Sequence, residues 1–368
     1  MNTHDKKIAW LSLYLIPGLG NTVLKRLIEK LGDPEAVFEA DLAELMNVEG
    51  LRRDIAKKIM NRSLSTEAEE ELRNAEKCHA RIIAYTDPSY PVFLREIYNP
   101  PILLYAKGRE IPLAQTFVGV VGSRNPTHYG RKASETIAFG LASRGAGVVS
   151  GLAKGIDSAA HRGCLRGNGF TIAVVGTGID VVYPASNKEL FKQIEANGVI
   201  VSEFPIGTHP EPKNFPIRNR IISGLSRGTV VVEATRNSGS LITASLALDQ
   251  GRDVFAVPGS IDSFKSTGTH FLIKQGAKLI ENADDILDEF GFAGKGTVGR
   301  GIPGDTGAPD RDMDEFEKKV YEIIGDYPMH MDNIVRLGKM EVGKVAGILM
   351  KMELEGTVKQ LPGKMFVR

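Results

Sequence analysis

The sequence predicts an α/β protein: a Rossmann-like, doubly wound parallel sheet as the core, an N-terminal helical domain and a C-terminal winged-helix domain. Three observations predict it. Short β-rich runs without charge alternate with helical stretches through the middle of the chain, as in strands buried on both faces of a parallel sheet. The stretch GFAGKGTVGRGIPGDTGAPDRD, 291–312, has seven glycines and two prolines in 22 residues and reads as a flexible linker. Helical patterning without strand signals precedes the core, and three helices followed by a hairpin come after the linker. The expected domains are 1–75, 80–290 and 313–368, with the linker at 291–312.

The first 65 residues are helical in pattern. Ile8, Leu11, Leu13, Leu15 and Ile16 lead into Pro17-Gly18-Leu19-Gly20, and Asn21 or Thr22 can cap a helix running through Lys30. A looser copy, Asn47-Val48-Glu49-Gly50-Leu51, precedes a helix through Ile59. Helix, glycine turn and helix form the helix-hairpin-helix (SAM-like) pattern, whose turn can aim backbone N–H groups at a phosphate. A plain helical bundle explains the same glycines, and the segment carries no excess of positive charge. The acidic run STEAEEELRNAEK marks a softer break near 65–80.

In the core the predicted strands are Phe117–Val121, Gly147–Ser150, Thr171–Val175, Val199–Ser202, Thr229–Val232 and Val254–Val257. The helices between them are Gly130–Arg144, Gly155–Arg166, Asn187–Ala196, Ile217–Ser226 and Leu241–Gln250. Ligands of such sheets collect at the carboxyl ends of the strands. The loops expected there are Gly122-Ser123-Arg124-Asn125-Pro126-Thr127, Ser150-Gly151-Leu152-Ala153-Lys154-Gly155, Gly176-Thr177-Gly178 and Asn237-Ser238-Gly239-Ser240. Glycine turns into helix starts, with Arg124 and Lys154 among them, make a site for several phosphates.

A further segment, Asn214-Phe215-Pro216-Ile217-Arg218-Asn219-Arg220, clusters two arginines beside an aromatic ring. Arginine forks match phosphate oxygens and an exposed Phe can stack on a base. The competing reading makes Phe215 core packing and pairs the arginines with Glu203 or Glu233.

Several function classes are excluded or disfavoured. Gly176-Thr177-Gly178 lacks the third glycine of a dinucleotide fingerprint, and no G-x-x-x-x-G-K-[ST] exists. No nucleotide cofactor is therefore expected. Two cysteines, Cys78 and Cys164, are too few for a disulfide framework or a zinc site. His128, His161, His209 and His270 show no metal-ligand spacing, and His161 reads as a packed helix residue. No metal site is expected. There is no run of 18 apolar residues and no secretory leader, so a cytoplasmic protein is expected. With 46 basic and 45 acidic residues, the chain is not coated in positive charge, which leaves room for one local basic groove.

The segments GSRNPTHYG, VVSGLAKGIDSAAHRGCL, TIAVVGTGIDVVYP, SEFPIGTHPEPKNFPIRNRIISGLS, VVEATRNSGSLITASLALDQGRDVFAVPG and GTHFLIKQGA, in that order over about 115–280, closely resemble the DNA-processing protein A (DprA, or Smf) family. The resemblance implies a protein that binds single-stranded DNA, protects it and loads the RecA recombinase on it in natural transformation. It also implies a homodimer and no catalytic residue. Carried over by motif, the expected DNA-binding positions are Ser123, Arg124, Gly151, Lys154, Gly155, Asn214, Phe215, Arg218, Asn219, Arg220, Ser238, Gly239 and Ser240. Lys154 would meet a phosphate as a point charge, and Arg124, Arg218 and Arg220 as forks.

The rival is an enzyme, a Rossmann-like nucleotide N-glycosidase related to lysine-decarboxylase-like proteins. Those proteins carry a catalytic glutamate on the helix that here reads LITASLALDQ, whose first carboxylate is Asp249, more than a turn too late. The C-terminal unit reads as helices 314–325, 331–338 and 342–355 and a hairpin around Pro362-Gly363, a winged helix. Its recognition-position helix offers only Lys344 and Lys351, so protein contact competes with groove reading. Val254 to Ala277, which mixes Phe264, Phe271, Leu272 and Ile273 with glycine, is a candidate dimer interface, and ordinary core burial explains the same residues equally well.

Overall fold

The computed structural model describes residues 3–62, 64–291, 314–325 and 328–367. The expected linker lies, apart from Gly291, outside these residues. The chain divides into two compact units. The larger holds the N-terminal helices and the main sheet, and the smaller holds the C-terminal helices and hairpin.

Among the described residues the main sheet has nine strands, which are β1 (Arg81–Ala84), β2 (Leu103–Gly108), β3 (Phe117–Val121), β4 (Gly147–Ser150), β5 (Thr171–Val175), β6 (Val199–Ser202), β7 (Gly228–Val231), β8 (Asp253–Ala256) and β9 (Lys278–Leu279). Their order is β1-β2-β6-β5-β4-β3-β7-β8-β9. From β6 to β9 every pairing is parallel. β3, β4 and β5 are buried along their whole length, which is why their sequences carry Val and Ile on both faces instead of alternating. The six predicted strands are all present, shifted by at most one residue. The sequence reading missed β1 and β2, an antiparallel pair that joins the sheet at β6, and the two-residue β9.

The helices before β1 are Thr3–Tyr14, Asn21–Leu31, Pro34–Glu39, Leu42–Met46, Arg53–Met60 and Ser65–Lys77. Two glycine turns take positive φ, Gly18 at 92° and Gly50 at 86°. Gly18 packs against Arg52 and Ile55, and Gly50 against Val23 and Arg26, so each hairpin turn rests on the other's second helix. The expected Asn21 or Thr22 cap is not made. Gly20 occupies the N-cap without a side-chain bond, and Asn21 instead donates to Glu203 Oε1 at 2.6 Å. The acidic run near 65–80 is a helix, not a connector, with Ala68, Leu72 and Ala75 on its buried face.

These helices and the sheet share one hydrophobic cluster, in which Trp10, Leu13, Leu24 and Leu72 join Tyr105, Ala173, Val175 and Ile200. Two phenols stitch the junction. Tyr14 donates to the Glu203 carbonyl, and Tyr105 donates to Glu71 Oε1 at 2.7 Å. Burial, with the adjacent glutamates second, pushes both hydroxyls well above the ordinary tyrosine range.

The smaller unit contains helices Glu315–Ile323, Met331–Gly338 and Val342–Leu354 and strands β10 (Met329–His330), β11 (Lys359–Leu361) and β12 (Met365–Val367). The strands pair antiparallel in the order β10-β12-β11, with Gly363 at φ 85° in the turn of the wing. Val320, Ile334, Val345, Leu349, Met352 and Phe366 form its own core. This is a winged helix. No helix of the described residues is long and apolar enough to cross a membrane.

Candidate nucleic-acid interface

The chain leaves β3 for β4, β5 and β6 on one side, then returns to place β7 on the other side of β3. The carboxyl ends of β3 and β7 therefore flank a topological switch point, where an open α/β sheet leaves a crevice. Three loops interlock there. Ser123 N–H donates to the Glu233 carbonyl at 2.7 Å, and Ile156 N–H donates to the Ser123 carbonyl at 3.1 Å. Gly155 has φ 84°, and a Cβ at that position would lie 2.3 Å from Ser123 O. Only glycine lets the loop after β4 pass the loop after β3 so closely.

Above these loops lies a cleft of about 550 Å³, lined among others by Gly122, Arg124, Ala153, Asp157, Tyr183, Phe215, Arg218, Asn219, Ser238, Gly239 and Ser240. A second cavity of about 260 Å³ adds Gly151, Lys154, Gly176, Thr177 and Pro184. The two share Arg124, Ala153, Tyr183, Phe215 and Arg218 and so adjoin. Arg124 and Lys154 are exposed. Arg124 lies with its guanidinium carbon 5.2 Å from the Phe215 ring centroid, and Lys154 makes no ion pair among the described residues. Ser238 caps the eleven-residue helix Gly239–Asp249 and its hydroxyl lies 2.8 Å from that of Ser240. The cleft thus combines two cations with a polar helix start, which suits an extended polyanion.

Not every expected residue faces this cleft. Arg220 has the role of the competing reading: its side chain is 10% exposed and bonded to Glu203, itself 6% exposed. Arg218 lines both cavities but is only 3% exposed. Its Nη1 donates to the Gly151 carbonyl at 2.6 Å and also to the Val174 carbonyl. Burial lowers its pKa to about 10, with Asp157 pulling the other way, so it is charged at neutral pH. The expectation of two open forks is therefore corrected: Arg220 is an internal ion pair, and Arg218 is a strut tying helix Asn214–Gly224 to the loop after β4. Asn214 is buried as well. Ser123 tethers the loops through its backbone while its Oγ accepts from Asn125 N–H at 3.2 Å, Gly155 acts through the backbone, and Gly151 leaves room for the Arg218 guanidinium, where a Cβ would lie 2.2 Å from Nη1.

Two cleft residues escaped the sequence reading. Tyr183 is 42% exposed, with its ring centroid 5.6 Å from that of Phe215. Asp157 is buried, and burial raises its pKa, opposed chiefly by Arg218. The signal for Asp157 was present, an acid in the first turn of a helix after a glycine loop; Tyr183 carried none beyond its place after β5. His161 is a packed residue, its Nδ1 2.7 Å from Thr171 Oγ1. Burial, then Arg218, holds its pKa down to about 3. Among the described residues no group of three or more His, Cys, Asp or Glu is placed to hold a metal.

Residues 81–291 match the family described as DNA recombination-mediator protein A, and residues 305–364 match the DprA winged helix domain. Protein Smf of Synechocystis sp. is 37% identical over 399 residues, covering 99% of this chain and 99% of that protein. The chain belongs to the DNA-processing protein A family. The DNA processing protein DprA of Streptococcus pneumoniae is 50% identical over 206 residues, 56% of this chain and 73% of that protein. The X-ray structure of DNA processing protein A from S. pneumoniae superposes with a TM-score of 0.68 at 40% identity, covering 78% of this chain and 99% of the other. That of the Helicobacter pylori protein, described for its unique single-stranded DNA binding mode, gives 0.52 at 30% identity, covering 58% and 96%. The family and the fold class expected from the sequence motifs are both borne out.

Proposed function

We propose that this chain binds single-stranded DNA along the carboxyl edge of its sheet. In this reading it protects the strand and hands it to the RecA recombinase in natural transformation and DNA recombination. It works as a cytoplasmic homodimer and performs no catalytic step. The observation that carries the reading is the pair of exposed cations, Arg124 and Lys154, on neighbouring loops around the joined cavities. Membership of a DNA-processing family and the DNA-binding relative from H. pylori support it. Ser123, Gly155 and Gly151 shape the loops, Asn219, Ser238, Gly239 and Ser240 line the strand's path, and Arg218 and Phe215 support Arg124.

The proposed dimer surface is 254–277, where Ile261 and Phe264 are 90% and 75% exposed and a second copy would cover them. The glycosidase alternative would have to use Asp157, the carboxyl at the cleft, but that group faces the Ala153 amide at 3.4 Å and the Arg218 charge. Competition between oligonucleotides tests the proposal. Single strands should displace a labelled single strand at concentrations where the matching duplex does not. Equal displacement by duplex, or release of free base from a nucleoside monophosphate, would contradict it.

A further inference from the structure

The loop that carries Arg124 is tied at its start, where Ser123 N–H donates to the Glu233 carbonyl and Ser123 Oγ accepts from Asn125 N–H. Arg124 and Asn125 then run exposed. The main chain just past Arg124 is met by a side chain 140 positions on: Lys265 Nζ donates to the Asn125 carbonyl at 2.6 Å. Lys265 has a firm base. It lies in the short helical turn Phe264–Ser266, where Ser266 is buried and its N–H donates to the Ser263 carbonyl at 3.0 Å. Gly268 N–H donates to the Ala234 carbonyl, in the loop after β7, at 2.7 Å. A Cβ on Gly268 would lie 2.6 Å from Thr235 O, so the turn is seated directly on that loop. The loops after β3, β7 and β8 thus form a ring of contacts, and the Lys265 side chain closes it.

We infer that Lys265 is a positioning residue for Arg124: from the loop after β8 it fixes the main chain from which the guanidinium reaches a phosphate. The inference rests on the strand-binding reading above. Lys265 is half-buried and lines neither cavity, so its ammonium serves the Asn125 carbonyl and not the cleft. A guanidinium that meets a phosphate as a fork needs both hydrogen bonds in good geometry, and the main chain sets where its side chain starts. Holding the next carbonyl in place removes freedom that the loop would otherwise lose on binding. Lys265 therefore raises strand affinity without touching the strand.

The test uses the full chain and a labelled oligothymidylate at about 0.15 M salt, where attraction between exposed charges beyond ~8 Å is largely screened. Lys265→Met keeps most of the apolar stem and removes the donor. It should weaken binding about fivefold, within the coupling expected of neighbours in one hydrogen-bonded network. Lys265→Arg can still donate to the carbonyl and should bind as the wild type does. In an Arg124→Ala background, Lys265→Met should have no further effect, because the residue it positions is gone. The same loss in both backgrounds would make Lys265 a direct phosphate contact and overturn the inference, as would wild-type affinity for Lys265→Met. Arg124→Ala and Lys154→Ala alone serve as the separate arm. If neither weakens binding, it is the strand-binding reading itself that fails.

Discussion

The carboxyl edge of the main sheet and the outward helix of the winged unit are both places where folds of their kind take ligands or DNA, and they are built in opposite ways. At the sheet edge, arginines are sorted by depth. Arg218 and Arg220 are buried in internal bonds, and Arg218 braces the loop after β4, which holds Lys154 out to solvent. On helix Val342–Leu354 both cations are engaged within the unit: Lys351 pairs with Glu317, and Lys344 lies over the Phe316 ring. The exposed apolar side chains on that helix are Val342, Met350 and Leu354. Fold places a surface where nucleic acid could go, but the side chains decide whether charge is available there. By that criterion the sheet edge, where Lys154 makes no ion pair among the described residues and Arg124 is exposed beside it, is better equipped for a phosphate backbone than the recognition-position helix.

The largest expected effect comes from breaking the buried layer beneath the sheet edge. Arg220→Ala leaves Glu203 as an uncompensated buried carboxylate and should cost about 3–5 kcal/mol of stability, read by denaturant unfolding. Loss of DNA affinity without loss of stability would instead place Arg220 among the DNA contacts and erase the distinction between the two layers. A smaller effect is expected from acid. His161 is held neutral with a pKa of about 3 against 6.5 unperturbed, so the unfolded chain binds a proton that the native chain refuses. Stability should therefore fall as pH drops from about 6.5 toward 3. Asp157, whose pKa is raised, works against this trend at the acid end. His161→Gln should flatten the dependence of melting temperature on pH across that window, and an unchanged slope would show that the ring is not the group responsible. The smallest effect is expected on the winged side: deleting 291–368 should leave most single-strand affinity in place. A near-total loss would move the interface to that unit.

How far the sequence could be read follows from the physics of each signal. The six core strands were legible because burial on both faces demands uninterrupted Val, Ile and Ala, as in Val148-Val149 and Ile172-Ala173-Val174. β1 and β2 were missed because they lie at the antiparallel edge, where short runs such as Arg81–Ala84 resemble helix-flanking segments. The glycine loops announced the site because Gly155 must pass Ser123 at close range. Depth was not legible. Arg124, Arg218 and Arg220 look alike in the sequence, and only the course of helix Asn214–Gly224 under the loop after β4 separates a strut and an internal ion pair from an exposed cation. Tyr183 was invisible for a related reason, since its exposure depends on Phe215, 32 positions later in the numbering, filling the space behind it.

The central claim, that Arg124 and Lys154 meet the DNA backbone, is tested most directly by the salt dependence of single-strand affinity. Each phosphate contact on a single strand contributes about 0.7 to the slope of log affinity against log salt. The Arg124→Ala/Lys154→Ala double variant should bind more weakly than wild type, with an unchanged melting temperature and a slope shallower by about 1.4. A double variant with the wild-type slope would remove both residues from the phosphate contacts and contradict the account.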